Sequence, residues 1–260
     1  MLKIIKHEFI KTRASLLALL ITAAVLYALS LLGGALHREW MKYVSLVLLM
    51  LFAGAAYVYT LARGISAYSA ELKNRTGYLL MLTPRSTYTI LFGKLIFSLL
   101  LAVLMLAASY FAITGVLAEI FGSHLALRGY YNILRALAEQ AGVNPEQVTA
   151  LMLAALISTL VNILMLVSLG YFATTISATL FRGGKGHGFI TFLFFIALFI
   201  ALMAVEYYLL PALLRDGDYN ALASGAEVFR QVLPVIAFNI AAMCGLTCAS
   251  AALLKKRVCL

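Results

Sequence analysis

The chain has too few charged side chains to cover the surface of a soluble protein. Only 12% of its 260 residues are charged, whereas 64% are hydrophobic, and its mean hydropathy is +1.00. Apolar runs recur along the chain, each close to the roughly 20 residues that a helix needs to cross a hydrocarbon core about 30 Å thick. The composition therefore predicts a polytopic membrane protein and excludes a soluble fold.

Cysteine is scarce, and its spacing does not indicate a disulfide framework. The three cysteines, Cys244, Cys248 and Cys259, all lie in or beyond the last apolar run. The first two are four residues apart on one predicted helix, a spacing unsuited to a disulfide within that helix. Nothing in the use of cysteine implies an oxidising compartment.

Ionisable residues are missing from the depth of the apolar runs. No Asp, Glu, Lys, Arg or His lies deep inside any of them, and such residues usually mark ion pathways and proton relays. The four histidines are scattered over different polar segments, without metal-ligand spacing. These absences argue against an ion-driven carrier and a selective ion channel. They predict no catalytic, cofactor-binding or metal-binding residue in this chain.

A phosphate-binding loop is also missing. The stretch Arg182-Gly-Gly-Lys-Gly-His-Gly is rich in glycine and basic, but it lacks the order G-x-x-x-x-G-K-[ST] that cradles phosphates. We interpret it as a flexible turn. Any energy from ATP must therefore come from another subunit.

Six helical spans are predicted in a single domain over residues 1–260. They cover roughly residues 15–36, 44–62, 95–117, 150–181, 189–210 and 232–254. Residues 1–14 are predicted to form an interfacial amphipathic helix, because Leu2, Ile5 and Phe9 recur at helical spacing while the lysines fall mainly elsewhere. A signal peptide is the alternative, but the apolar run that follows is longer than its usual apolar region.

The distribution of charge predicts the orientation. With the amino terminus in the cytoplasm, the inner segments hold 14 basic and two acidic residues, and the outer segments hold six basic and eight acidic residues. The net charge of +10 would indicate nucleic-acid binding in a soluble domain. Here it divides into +12 inside and −2 outside, as the positive-inside rule requires. Both termini are predicted to be cytoplasmic, with membrane lipid and not nucleic acid as the partner of the basic residues.

Small residues recur at every fourth position of the last span. This small-residue stripe consists of Ala237, Ala241, Gly245 and Ala249, and it predicts a face on which another helix packs closely. The neighbour belongs either to this chain or to another. Asn162 and Asn239 interrupt apolar runs, and we predict interhelical hydrogen bonds for them, with substrate contact as the alternative.

Residues 63–94 form the longest polar interruption on the predicted cytoplasmic side. The segment carries five basic residues and one acid, Glu71. It is broken at Thr76-Gly77 and again at Thr83-Pro84, and proline disfavours helix in the residue before it. We predict a broken helix that lies across the inner membrane surface. The alternative is an ordinary basic loop anchored to lipid.

This segment resembles the cytoplasmic coupling segment in permease subunits of type-2 ATP-binding-cassette (ABC) exporters. The order and spacing that carry the likeness are those of Glu71, Thr76, Leu79, Leu80, Thr83, Pro84, Ser86, Ile90, Gly93 and Lys94. The form from Thr76-Gly77-Tyr78 to Leu82-Thr83-Pro84 looks like a subgroup common in Gram-positive bacteria. Arg75 departs from the pattern, because many members have glycine before the threonine.

The resemblance implies a fold, a function and partners. It implies a permease in a bacterial cell membrane that exports a hydrophobic or amphipathic substrate, works as a homodimer or with a similar permease, and binds a separate ABC ATPase that holds ATP and Mg. It also implies that the chain itself is not an enzyme. The residues that it assigns to ATPase coupling are Glu71, Lys73, Arg75, Thr76, Gly77, Thr83, Pro84, Gly93 and Lys94. Of these, Lys94 is expected at the level of the lipid headgroups.

Two other classes of function are compatible with this sequence. One is a membrane-integral enzyme that acts on lipid intermediates, although the spans lack a cluster of polar catalytic residues. The other is an immunity or assembly protein of the membrane that needs no ATPase. A tightly bound ATPase, lost when residues 71–84 are altered, distinguishes the permease from both.

Overall fold

The computed structural model of the chain describes residues 2–73, 87–120, 145–180, 187–213 and 225–258. These residues form six α-helices, and no strand occurs among them. The helices are α1 (Leu2–Ala35), α2 (Glu39–Lys73), α3 (Thr87–Ile120), α4 (Pro145–Leu180), α5 (His187–Leu213) and α6 (Gly225–Val258). Each is long and apolar enough to cross a membrane. The predicted all-helical class with six transmembrane helices is therefore confirmed.

The helices are longer than the spans that hydropathy predicts. α2 contains 35 residues, about 50 Å at 1.5 Å per residue, whereas the hydrocarbon core is about 30 Å thick. It continues eleven residues beyond Ala62 to Lys73, and α3 begins at Thr87, eight residues before Leu95. Much of the predicted polar interruption is therefore helical, because hydropathy marks the apolar part of a helix and not the end of its backbone hydrogen bonds.

The amino-terminal region differs from the prediction. α1 runs without a break from Leu2 to Ala35, so residues 2–14 form the first turns of the same helix that contains the first span. No separate interfacial helix is found there. The physical reason is the absence of glycine or proline between Phe9 and Ser15, so nothing in the sequence ends the helix at the predicted boundary.

The helices pack in two groups. α1, α2 and α3 contact one another, α4 packs chiefly against α6, and α2 and α3 join the groups through α4. One buried cluster lies within the first group and includes Leu16, Phe52, Phe97 and Leu101. A second cluster lies where the groups meet and includes Tyr68, Leu91, Val167, Tyr171 and Leu254. α5 lies outside both clusters and is largely exposed.

Side-chain hydrogen bonds fix the direction of neighbouring helices. α1 and α3 run parallel, because Glu8 contacts Lys94 near their first residues while Ser30 donates to Glu119 Oε2 at 2.6 Å near their last. α2 and α4 are also parallel, since Tyr57 and Tyr68 contact Asn162 and Thr175 in the same order. The start of α1, the end of α2 and the start of α3 therefore lie together at one end of the bundle.

Candidate functional site

The predicted coupling residues fall into three groups in the structure. Gly93 and Lys94 lie near the start of α3, and both are buried. Glu71 and Lys73 belong to the last turn of the α2 backbone. The remaining five, Arg75, Thr76, Gly77, Thr83 and Pro84, lie outside the described residues.

Lys94 lies in the protein interior. Its ammonium group donates to Glu8 Oε1 at 3.1 Å and to the backbone carbonyl of Ala67 at 2.9 Å. The exposed fractions of the Lys94 and Glu8 side chains are 0% and 4%. That Lys94 lies at the level of the lipid headgroups stays a prediction. Within the protein, Glu8 compensates the charge that lipid or water would otherwise have to solvate.

These contacts join three helices at one point. Glu8 belongs to α1, Ala67 to α2 and Lys94 to α3, and we call this set the buried junction. Glu8 and Lys94 lie near the first residues of the candidate membrane spans Ile5–Ala35 and Tyr88–Leu117. Both precede the apolar runs 15–36 and 95–117, so the expectation that no ionisable side chain lies deep inside those runs holds for this pair. Because the two charges are paired with each other, they form a contact between helices.

The surroundings of the buried junction are apolar and tightly packed. The rings of Phe9 and Phe97 meet edge to face beside it, with centroids 5.2 Å apart. The Ser98 hydroxyl donates to the Lys94 carbonyl at 3.0 Å, and the Thr12 hydroxyl donates to the Glu8 carbonyl at 2.6 Å. A charge in such surroundings needs a partner, because its lost hydration is recovered only by good geometry with an opposite charge.

Glycine permits a close approach of α2 to its neighbours one turn from the buried junction. A Cβ atom on Gly64 would lie 2.8 Å from Ser98 Oγ and 3.0 Å from Val167 Cγ2, and a Cβ on Gly170 would lie 2.5 Å from Ile65 Cγ1. The distances of 2.5 and 2.8 Å are shorter than Cβ contacts in proteins, and the distance of 3.0 Å is shorter than nine in ten of them. α2 therefore packs closely against α3 and α4 near its last turns, which lead into residues 74–86.

Hydrogen bonds between α2 and α4 confirm one of the two asparagine predictions. The Tyr57 hydroxyl donates to Asn162 Oδ1 at 2.9 Å, and the Tyr68 and Thr175 hydroxyls are 2.6 Å apart. Asn239 is also buried, but its Oδ1 accepts no hydrogen bond within the part of the chain that the structure describes. Polar residues of the spans thus connect α2 with α4, as Ser30 and Glu119 connect α1 with α3.

Removal of the Tyr57 hydroxyl is expected to weaken this contact slightly. In Tyr57→Phe, Asn162 loses its donor, and we expect the free energy of unfolding to fall by about 0.6 kcal/mol, a typical value for hydrogen bonds between membrane helices. SDS titration in mixed micelles measures it. Tyr43→Phe is the control, because Tyr43 is an exposed residue of the same helix. Equal stability of the two variants would contradict the prediction.

The small-residue stripe does not face the rest of the described chain. Ala237, Ala241 and Gly245 are exposed, Ala249 is half-buried, and a Cβ on Gly245 would meet no atom within 4 Å. The buried side of α6 is a different one, formed by Asn239, Thr247, Ser250, Ala251 and Leu254. The sequence left open whether this stripe packs on a helix of the same chain or of another. Within the described ranges, no helix of this chain packs on Ala237, Ala241 or Gly245.

The interior offers little room for a ligand at the α2–α3–α4 contact. A cavity there is lined by Tyr57, Thr60, Met105, Ser109 and Ile163 among others, and its volume is about 10 Å³, room for about one water molecule. Within the described ranges, no group of three or more His, Cys, Asp or Glu residues is placed to hold a metal ion. The most distinctive chemical feature of the described chain is thus the buried junction.

No protein-family model, no curated protein and no solved structure matches this chain. Its function has therefore to be inferred from its own residues and their geometry.

Proposed function

We propose that the chain is the membrane-spanning permease subunit of an ABC exporter. In this proposal a separate ATPase subunit binds residues 74–86 and the adjoining ends of α2 and α3. Closure of that ATPase on ATP displaces the segment, and the helices move as rigid bodies to export a hydrophobic or amphipathic substrate. ATP and Mg belong to the ATPase, and the permease works in a bacterial cell membrane with a second copy or a similar permease.

The observation that carries the proposal is the position of the buried junction. Ala67 lies six residues before Lys73, the last residue of α2, and Lys94 lies seven residues after Thr87, the first residue of α3. Both borders of residues 74–86 are thus joined to each other and to α1 by hydrogen bonds of one ammonium group. A force on the segment would act on three helices together, as a mechanical coupling site requires.

The distribution of charge supports a cytoplasmic position for this end of the bundle. Lys6, Lys11 and Arg13 near the start of α1 and Lys255 near the end of α6 are exposed, and Leu254 packs in the same cluster as Leu91 of α3. Exposed basic residues at one end favour the cytoplasmic side. In the proposed orientation both termini lie there, within reach of a soluble ATPase.

The exposed small-residue stripe of α6 supports the participation of a second permease. Residues without bulky side chains allow the backbones of two membrane helices to approach closely, which favours association in lipid. Lipid alone would be contacted equally well by larger apolar side chains.

Purification of the tagged protein from the membranes of the cells that produce it tests the proposal. We expect an ATPase subunit to remain bound in mild detergent and to hydrolyse ATP. The variant Glu71→Ala/Pro84→Ala is expected to bind that ATPase about tenfold or more weakly, since few residues carry most of the energy of an interface. Arg38→Ala is the matched control, because Arg38 lies between α1 and α2, at the opposite end of the bundle.

A chain that purifies alone and keeps its cellular activity would contradict the proposal. That result would favour a membrane-integral enzyme if the purified chain converts a lipid, and an immunity or assembly protein if it does not. Equal loss of ATPase from the Arg38→Ala control would also count against a specific role of residues 71–84.

A further inference from the structure

We propose that Glu8 and Lys94 are positioning residues that fix the register of the first turns of α1 against the two helices bordering residues 74–86. The proposal rests on the proposed function for its purpose, which is to make α1 part of the unit that the ATPase displaces. Its structural content is independent of that function: the first turns of α1 are held in place by the ion pair and not by apolar packing alone.

The contact surfaces of residues 2–16 favour this assignment. On this part of α1 the described buried residues are Glu8, Thr12 and Leu16, with Ile5 and Phe9 partly buried. Two exposed polar contacts to α2 add to them: the Ser15 and Tyr59 hydroxyls are 2.6 Å apart, and Arg63 donates to the Lys11 carbonyl at 3.5 Å. Apolar contact by itself tolerates rotation and sliding of a helix, because the hydrophobic effect has no direction. A hydrogen-bonded charge pair permits one register only, and fixing register is the best-attested use of buried polar groups.

The second acceptor of Lys94 makes the arrangement directional. The ammonium group donates to the Ala67 carbonyl at 2.9 Å as well as to Glu8 at 3.1 Å, so its position depends on the distance from α3 to both other helices. A carboxylate at position 94 cannot replace it, because two acceptor oxygens would then face each other. The backbone of α2 therefore determines that the base of the pair is on α3 and the acid on α1.

Separation of the first turns of α1 from α3 requires the Glu8 carboxylate to find a new partner, whereas Lys94 still donates to the Ala67 carbonyl. The pair has side-chain exposures of 0% and 4%, so almost no solvent reaches it while the helices stay together. A partial displacement leaves the Glu8 carboxylate without its partner in apolar surroundings, which is strongly unfavourable. The start of α1, the end of α2 and the start of α3 consequently move together or separate completely. A small displacement of residues 74–86 is therefore transmitted in full to the start of α1.

Hydrogen exchange of the full chain in lipid nanodiscs tests this inference. In the double variant Glu8→Met/Lys94→Met, both charges are replaced by apolar side chains, and the thermal midpoint is expected to stay within about 5 °C of the wild type. Exchange of residues 2–16 is nevertheless expected to rise about tenfold or more, while residues 97–110 keep their protection. Lys11→Met, a change at an exposed position of α1, is expected to leave both regions unchanged.

The exchanged pair Glu8→Lys/Lys94→Glu provides the second arm. We expect it to leave residues 2–16 unprotected as in the double methionine variant, because the carboxylate then placed at position 94 cannot donate to the Ala67 carbonyl. Wild-type protection of residues 2–16 in the double methionine variant would overturn the proposal, and so would wild-type protection in the exchanged pair. Absence of any bound ATPase would refute the proposed function and leave this inference to be decided by the exchange data.

Discussion

Lys94→Met alone is expected to lower the free energy of unfolding by roughly 3–5 kcal/mol, the usual effect of breaking a buried ion pair from one side. The variant retains most of the volume of the side chain, so the effect does not come from a cavity. It comes from Glu8, whose carboxylate keeps its buried position without the ammonium group 3.1 Å away. The Ala67 carbonyl loses its contact with α3 as well.

Reversible unfolding in mixed micelles measures this effect, and the chain offers a matched control. Lys11→Met makes the same change at an exposed lysine of α1, and we expect it to alter stability by no more than about 0.5 kcal/mol. Addition of Glu8→Met to Lys94→Met is expected to restore most of the lost stability, because the uncompensated charge is then removed. If the effects of the two single changes on the free energy of unfolding added up to the effect of the double change, the pairing of Glu8 with Lys94 would be wrong.

The six helices could be predicted from sequence, whereas their ends could not. Apolar runs report the part of a helix that lies in hydrocarbon, and every run became a helix. The region from Ala62 to Lys73 contains Arg63, Glu71 and Lys73, so hydropathy ends the second span before it. The backbone of α2 continues through this region nonetheless, because the hydrogen bond from each backbone N–H to the carbonyl four residues earlier does not require apolar side chains.

The buried junction could be predicted only in part. The resemblance singled out Lys94 but implied no partner for it, and the partner Glu8 is 86 residues away. A local signal for Glu8 did exist, since it is the one acid among the basic residues of 1–14 and shares a helix face with Thr12 and Leu16. The packing of three helices decides which acid pairs with which base. The spacing of residues within one helix does not predict this pairing.

The packing of α2 on α4 likewise follows from residues that carry no signal in a hydropathy profile. Gly64 and Gly170 resemble any other glycine of the spans, yet each stands at a close approach of two helices. Gly54 and Gly245 have open space around them, and their sequence surroundings are just as apolar. The distinction depends on which side of the helix meets a neighbour, so it becomes visible only in the folded chain.

Gly170→Ala is therefore expected to lower the free energy of unfolding by roughly 1–3 kcal/mol, as overpacking of a tight contact does. The new Cβ would lie 2.5 Å from Ile65 Cγ1 and 2.6 Å from Ile65 Cδ1. Ile65 cannot rotate away easily, because a β-branched side chain in a helix has one strongly preferred χ1 rotamer. The two helices must move apart, and the contact that joins the two helix groups is weakened.

The same unfolding titration tests this prediction with a control and a rescue. Gly54→Ala adds the identical methyl group where no atom lies within 4 Å, and we expect a change of at most about 1 kcal/mol, in the stabilising direction. Ile65→Ala removes all three atoms that the new Cβ would meet. The pair Gly170→Ala/Ile65→Ala should consequently be more stable than the sum of the single changes predicts, and strict additivity would show that α2 and α4 do not meet at this point.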